Sequence, residues 1–303
     1  MDLRRLEAFC KVYELRSFSK AGKDLYLSQP TISAHISTLE EELGVQLFDR
    51  LGRAIMPTQA GEVLYKNARD IYDLINKAQS EINLLRDKVV GDLNIGGSTI
   101  PSHYLLPEIL YEFCKKYPDV RAHLTVGDTE NILDQVVSGK LILGVVGARL
   151  DIPNIEYVPV MRDELVVVAP PVLVSNYRSF EDIQQLAELP WVMREGGSGT
   201  RKAFEAALAE LGASIRDLNV TVWVESTQAV VQCVKAGLGI SVTSKLAAAP
   251  YIESGELVHM TSLPLNLDRS FFLAHLKGRK FFPAVRYFID HIRQHSFEDK
   301  LSD

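Results

Sequence analysis

The sequence predicts two fold classes in one chain: an N-terminal all-α winged helix-turn-helix and a C-terminal α/β domain of two lobes, joined by a long helix. Three observations carry this. Residues 1–58 read as three short amphipathic helices followed by a small hairpin. Residues 59–90 keep an apolar repeat of helical type. Residues 91–303 alternate short apolar strands with helices, joined by Gly- and Ser-rich segments. That last stretch divides into a first lobe, about 91–161 with 266–303, and a second, about 162–265.

Leu3, Leu6, Phe9, Cys10 and Tyr13 recur at helical spacing and mark the first helix. The second runs roughly from Ser19, a potential cap, to Leu25, with Ala21 and Gly22 allowing close crossing. The third starts at Ser28, a good N-cap, has Pro30 in its first turn and ends at Gly44. Its apolar stripe is Ile32, Ile36, Leu39 and Leu43. Pro30, Thr31, Ala34 and Thr38 face away from that stripe, and Gln29, Ser33 and His35 flank it. In a helix-turn-helix the second helix of the pair lies in the major groove, where Gln reads adenine and Ser or Thr takes a base edge or phosphate. A plain three-helix bundle with a polar outer face fits the same pattern. Residues 45–58 read as a hairpin turning at Leu51-Gly52, with Arg50 and Arg53 at its tip. Arginines there suit a wing on phosphates or in the minor groove, or plain surface ion pairs.

From Thr58 to about Val89 the pattern is continuous helix. Leu64, Ile71, Ala78 and Leu85 repeat every seven residues, as do Ala68, Ile75, Ile82 and Val89. The stripe needs a cover. A second copy of the chain is the favoured one, since DNA readers of this type bind paired half-sites as dimers. Packing on the chain's own C-terminal domain is the alternative.

Past the Gly91-Asp92 break, strands are expected at 93–96, 120–126 and 141–146, with helices at 104–116 and 132–137. This βαβαβ order predicts a parallel sheet with helices on both faces. A second set follows from Glu164, with helices near 180–187, 200–211 and 229–236 and strands at 191–193, 220–224 and 240–242. A strand at 271–275 and a helix at 283–295 return to the first lobe. Ligands in such sheets bind beyond the carboxyl ends of strands, at helix N-termini. Four segments fall there: Gly96–Ser102 with Ser98, Thr99, Pro101 and Ser102; Gly127-Asp128-Thr129; Gly147-Ala148; and Gly196–Arg201 with Ser198, Thr200 and Arg201. Backbone N–H groups, hydroxyls and one arginine suit a small anion, though Gly and Ser also serve turns.

The N-terminal motifs carry a resemblance. Phe9, Ser17-Phe18-Ser19-Lys20-Ala21, Leu27-Ser28-Gln29-Pro30-Thr31-Ile32-Ser33, Leu39-Glu40-Glu41-Glu42-Leu43-Gly44, Leu47-Phe48-Asp49-Arg50 and Thr58-Gln59-Ala60-Gly61 follow in order over some sixty residues. The run strongly resembles the LysR-type transcriptional regulator family. The resemblance implies a DNA-binding N-terminus, a long linker helix, and an effector domain of periplasmic-binding-protein-like fold, in a homodimer or dimer of dimers. It puts Gln29, Pro30, Thr31 and Ser33 at the groove-facing start of the recognition helix, and Arg50 and Arg53 in the wing. It puts Ser98, Thr99, Ser102, Thr129, Ser198 and Thr200 around the effector. Ala34-His35 stands where many members carry Arg then Gln, so the operator sequence is left open. The hydroxyl-rich loops are similar to those of sulfur-assimilation regulators and point to a sulfur- or selenium-related oxyanion or metabolite. Ile100-Pro101-Ser102-His103 departs from their more threonine-rich loop.

Composition bounds the rest. Residues 1–90 hold 13 basic and 13 acidic residues, so the formal charge of −6 lies wholly in 91–303. A neutral head binds phosphates only if its basic groups share a face. The three scattered cysteines, Cys10, Cys114 and Cys233, fit no disulfide framework or zinc site. No apolar run approaches the ~20 residues of a membrane span, and the charged start lacks a signal core, so a cytoplasmic protein without a membrane partner is expected. An α/β enzyme is one rival. However, the 196–200 loop lacks the Lys-Ser/Thr ending of a phosphate-binding P-loop, and no nucleophile elbow or acid–base pair stands out. A solute receptor is the other, and it leaves residues 1–90 without a role. The expected partners are double-stranded promoter DNA, a small anionic effector as co-inducer with no fixed cofactor, and a second copy of the chain.

Overall fold

The computed structural model describes residues 2–51, 54–84, 89–174, 183–261, 265 and 267–298. The chain forms two compact units, Met1–Gln79 and Ser80–Asp303.

The first unit opens with α1 (Leu3–Leu15), α2 (Phe18–Asp24) and α3 (Gln29–Leu43). Capping sets their limits. Ser17, not Ser19, caps α2 by accepting from Lys20 N at 3.2 Å. Ser28 caps α3 by accepting from Thr31 N at 3.3 Å, and Gly44 ends it at φ 69°, a conformation costly for a residue with a Cβ. Leu6, Phe9 and Val12 of α1 meet Ile32, Ile36 and Leu39 of α3 in one core. Leu43, expected in that stripe, is 41% exposed. The inward place goes to Glu40, whose carboxylate accepts from Leu47 N at 2.7 Å and Phe48 N at 3.3 Å. A buried acceptor there satisfies two backbone donors and ties α3 to the hairpin. That hairpin is β1 (Phe48–Leu51) against β2 (Ala54–Pro57), in register from Phe48↔Pro57 to Leu51↔Ala54. Arg50 therefore lies within the strand, opposite Ile55, rather than at the tip. Gly52 and Arg53 lie outside the described residues.

α4 (Gln59–Leu84) follows, about 39 Å long at 1.5 Å per residue. Its first half is covered by its own head. Ala68 is fully buried in the α1–α3 core, and Leu64 and Ile71 pack against it. Tyr65 stacks on Tyr13 at 3.9 Å, and Tyr72 donates to Leu3 O at 3.1 Å. Ala68, expected in a seam between two chains, is thus covered by the chain's own head, with Leu64 and Ile71 beside it. Further on, Ile75 is half-buried, Ala78 and Ile82 are exposed, and Leu74 joins them at 65% exposure. Leu85 lies outside the described residues.

In the second unit, β3 (Gly91–Ser98) leads through a π-helical turn (Pro101–Leu105) into α5 (Leu106–Lys116), then β4 (Val120–Gly127), α6 (Thr129–Val137) and β5 (Leu143–Val146). α6 starts three residues before the expected Ile132 because Asp128 caps it, accepting from Asn131 N at 2.7 Å. β6 (Ile155–Ala169) is the element that makes two lobes. Its first ten residues pair antiparallel with β11 (Asp268–Leu276), and Leu165–Val168 pair antiparallel with β9 (Ser241–Ser244). Between β6 and β9 lie α7 (Pro171–Val174), α8 (Ile183–Glu188), β7 (Pro190–Arg194), α9 (Gly199–Glu210), a 3-10 turn (Ile215–Asp217), β8 (Asn219–Val224) and α10 (Thr227–Lys235). α11 (Lys245–Glu253), β10 (Val258–His259) and, after β11, α12 (Pro283–Glu298) complete the unit.

The βαβαβ stretch is parallel as expected, and later strands make the sheets mixed. β4, β3 and β5 run parallel, but β11 is antiparallel to β5 and β6 to β11. In the second lobe β7 and β8 are parallel and a Trp191–Ile240 bridge joins them to the β9 segment. Both faces are covered. Leu165 and Val167 pack with Trp191, itself stacked on Phe204 at 5.1 Å, while Val166 and Val168 pack with Val192, Val230 and Val231. A strand buried on both sides reads as a continuous apolar run, as 165–169 does.

Candidate functional site

The first surface is the exposed start of α3. Gly22 lets α2 approach it: a Cβ there would meet Leu27 O at 2.8 Å. Ser28, Gln29, Pro30 and Ala34 are exposed, and Thr31, Ser33 and His35 are half-buried beside them. The Ser28 and Thr31 hydroxyls bond at 2.8 Å, and Ser19 donates to Gln29 Oε1 at 3.3 Å. Ser19 thus serves the outer face instead of a cap. Sequence reasoning passed over Tyr26, which sits in the turn at φ 56° and is 96% exposed. A non-glycine residue at positive φ is uncommon, and here it leaves the ring in solvent beside the start of α3. The first backbone N–H groups of the 15-residue helix lie on the same side and favour anions.

The second surface is the cleft between the lobes of the second unit. A small, partly open cavity, about 10 Å³, is lined from one lobe by Ser98, Thr99, Ile100, Asp128, Thr129 and Arg269, and from the other by Arg194, Ser198, Gly199 and Thr200. It holds roughly one water as it stands, so a larger group would enter only with the lobes parted. The Arg194 guanidinium reaches across the cleft, Nη1 donating to Thr227 Oγ1 at 2.9 Å and Thr99 Oγ1 at 3.3 Å, while Nε and Nη2 bind the Glu195 carboxylate at 2.6 and 2.5 Å. Arg269 Nε donates to Asp163 Oδ2 at 2.7 Å, and its Nη1 donates to Thr200 Oγ1 at 3.1 Å. Burial depresses the Arg269 pKa below the usual arginine range, Asp163 opposes that shift, and neighbouring Arg194 adds to it. Asp163 also accepts from Ser244 Oγ at 2.5 Å. One buried hydroxyl here, Thr129 Oγ1, lacks a hydrogen-bond partner, while Arg269 Nη2 lies 2.7 Å from Asp163 Oδ2 in an ion pair. The lobes touch at glycines. A Cβ on Gly199 would meet Thr129 Oγ1 at 2.7 Å and the Gly147 carbonyl carbon at 2.8 Å.

Comparison with known proteins decides what these two surfaces belong to. Residues 3–62 match the family described as bacterial regulatory helix-turn-helix protein, lysR family, and residues 86–296 match the LysR substrate binding domain. The chain belongs to the LysR family. An uncharacterised HTH-type transcriptional regulator of Methanocaldococcus jannaschii is 32% identical over 93% of this chain and 95% of its own length. The crystal structure of full-length CbnR complexed with its target DNA has a TM-score of 0.68 at 22% identity, covering 97% of this chain and 99% of CbnR. The Synechocystis PCC6803 CcmR regulatory domain in complex with 2-PG has a TM-score of 0.63 at 25% identity, covering 69% of this chain and 99% of that domain.

As a LysR-family member the protein is a DNA-binding transcription regulator, not an enzyme. Among the described residues no helix is long and apolar enough to cross a membrane. In this regulator the structure gathers Ser98, Thr99, Thr129, Ser198 and Thr200 around one cavity. Ser102 is buried but spends its hydroxyl on Thr99 O at 3.1 Å, Pro101 is buried in the π-helical turn, and Gly147 underlies the Arg269 guanidinium. Arg201 is a correction. Its Nε binds Glu205 at 2.8 Å, its Nη1 binds Arg194 O at 3.2 Å, and its guanidinium lies 4.8 Å from the Trp223 ring centroid. The charge in the cavity comes instead from Arg194 and Arg269. Arg194 stands at the carboxyl end of β7, where ligand groups collect, so position alone could have found it.

Proposed function

We propose that this LysR-family regulator reads promoter DNA through the exposed start of α3 and adjusts its grip when a small ligand with an anionic group enters the interlobe cavity. For the first part, Gln29, Pro30, Thr31, Ser33, Ala34 and His35 contact the major groove, Ser28 and Tyr26 serve phosphates, and Arg50 and Arg53 act from the wing. For the second, one observation carries most weight: two guanidiniums and the buried Thr129 hydroxyl face a cavity built from both lobes. Binding there favours the closed lobes, which changes how effector domains pair and so the bend of the bound DNA. The similar CcmR regulatory domain, in complex with 2-PG, is in keeping with an anionic ligand. Leu74, Ile75, Ala78 and Ile82 supply the apolar stripe on which two chains pair in the cytoplasm, and two such pairs join on one promoter.

The test is a melting series with sulfate, selenate, thiosulfate, phosphate, 2-PG and O-acetylserine, beside footprinting on the upstream intergenic DNA. A true effector at ~100 times its Kd adds about 2.7 kcal/mol and alters the footprint. Unchanged melting across the panel, or a footprint indifferent to the ligand that binds, would overturn the reading.

A further inference from the structure

The small cavity is only the inner end of the cleft. Outside it an open groove of about 700 Å³ is lined from both lobes. Its charge is opposite. Asp128, Glu130 and Asp134 line it from the first lobe, and Glu225 from the second, beside Glu195, whose carboxylate is already paired with Arg194. Apart from His103, whose Nδ1 lies 2.6 Å from Thr99 O, no basic side chain among the described residues lines it. Thr99 and Asp128 line both spaces, so the guanidinium end and the carboxylate end adjoin. Closing the lobes brings two sets of carboxylates together across the groove, where Glu130 N already donates to Gly197 O at 3.3 Å. Like charges brought together oppose closure unless a cation sits between them. The inner end supplies the independent sign of a ligand: Thr129 is 1% exposed, lines the cavity and leaves Oγ1 without a partner. A bare anion would answer that end and leave the acidic mouth repelling itself.

We infer that the effector is a zwitterion of amino-acid type, its acidic group held by Arg194, Arg269 and Thr129 and its ammonium group held in the acidic mouth. This rests on the interlobe cavity being the effector site. Lobe closure then needs both ends of one molecule. The acidic group satisfies the inner donors, and the ammonium removes the repulsion between Glu130 and Asp134 on one side and Glu225 on the other.

The test uses matched pairs that differ only in an amine replaced by a hydroxyl: O-phosphoserine against 3-phosphoglycerate, glutamate against 2-hydroxyglutarate, and alanine against lactate. Titration calorimetry on the full chain should show at least one amine-bearing member binding roughly tenfold or more tighter than its hydroxyl partner. Glu130→Gln with Glu225→Gln, both exposed positions, should erase that preference while the hydroxy acid keeps its affinity. Thr129→Val should weaken both members of the pair. Hydroxy acids or simple anions binding as well as the amino acids would overturn the zwitterion and leave the cavity as an anion site. Absence of binding by any amine, hydroxy acid or simple anion would fail the cavity itself.

Discussion

The two working surfaces of this regulator are built in opposite ways. The surface proposed to face DNA lies on one helix start, residues 28–35, with several side chains in water and its bonds confined to the Ser28 cap and the Ser19–Gln29 contact. The cleft collects side chains from positions 98 to 269, buries them, and ties them to one another by charge. A surface of the first kind is free to change its chemistry without touching stability. In one of the second kind, recognition and folding share the same groups, so an altered ligand preference carries a stability cost.

Substitutions that separate the two kinds of site make this comparison breakable. The largest effect is expected for Asp163→Ala, which leaves the Arg269 guanidinium buried without its counter-charge. Loss of one partner of such a pair costs about 3–5 kcal/mol, so urea melting of the second unit should shift strongly. A melt close to the parent's would mean that the cleft is far less tightly coupled to folding. Next is Glu40→Ala in the head, which strands the Leu47 and Phe48 N–H groups. It should cost about 1–3 kcal/mol and weaken every DNA equally, because the hairpin loosens but no base contact changes. The smallest stability effect belongs to Ala34→Arg. At an exposed helix position it should leave the melt within about 0.5 kcal/mol, yet raise DNA affinity and steepen its salt dependence by about one unit. A cleft-like destabilisation there would erase the distinction between the surfaces.

The same difference explains what could be read from the chain alone. Ser28 and Gly44 were legible as the ends of α3 because caps act within a few residues. Glu40 was not: it stands one place from the Leu39 stripe, and only the folded hairpin shows the two N–H groups that draw it inward. The hydroxyls of Ser98, Thr99, Thr129, Ser198 and Thr200 were found because strand-to-helix joints announce themselves by Gly and Ser. Arg269 lies inside a strand, and nothing local reveals that β11 runs beside β6 and sets it against Asp163. Arg201 was misjudged for the converse reason. It belongs to the right loop, but its neighbours four and seven residues away occupy it first. The first half of β6 was missed because Glu156 and Pro159 interrupt its apolar pattern. The apolar repeat of α4 was seen, but periodicity cannot say which half a chain covers for itself.

Gly199 carries one consequence beyond the contacts already given. Since the hinged halves of the effector domain meet where this residue has no side chain, a single methyl inserted at that point would act as a doorstop. Gly199→Ala would hold the jaws ajar by steric bulk, whatever molecule is offered, and fix the protein in whichever transcriptional state belongs to the unclosed form.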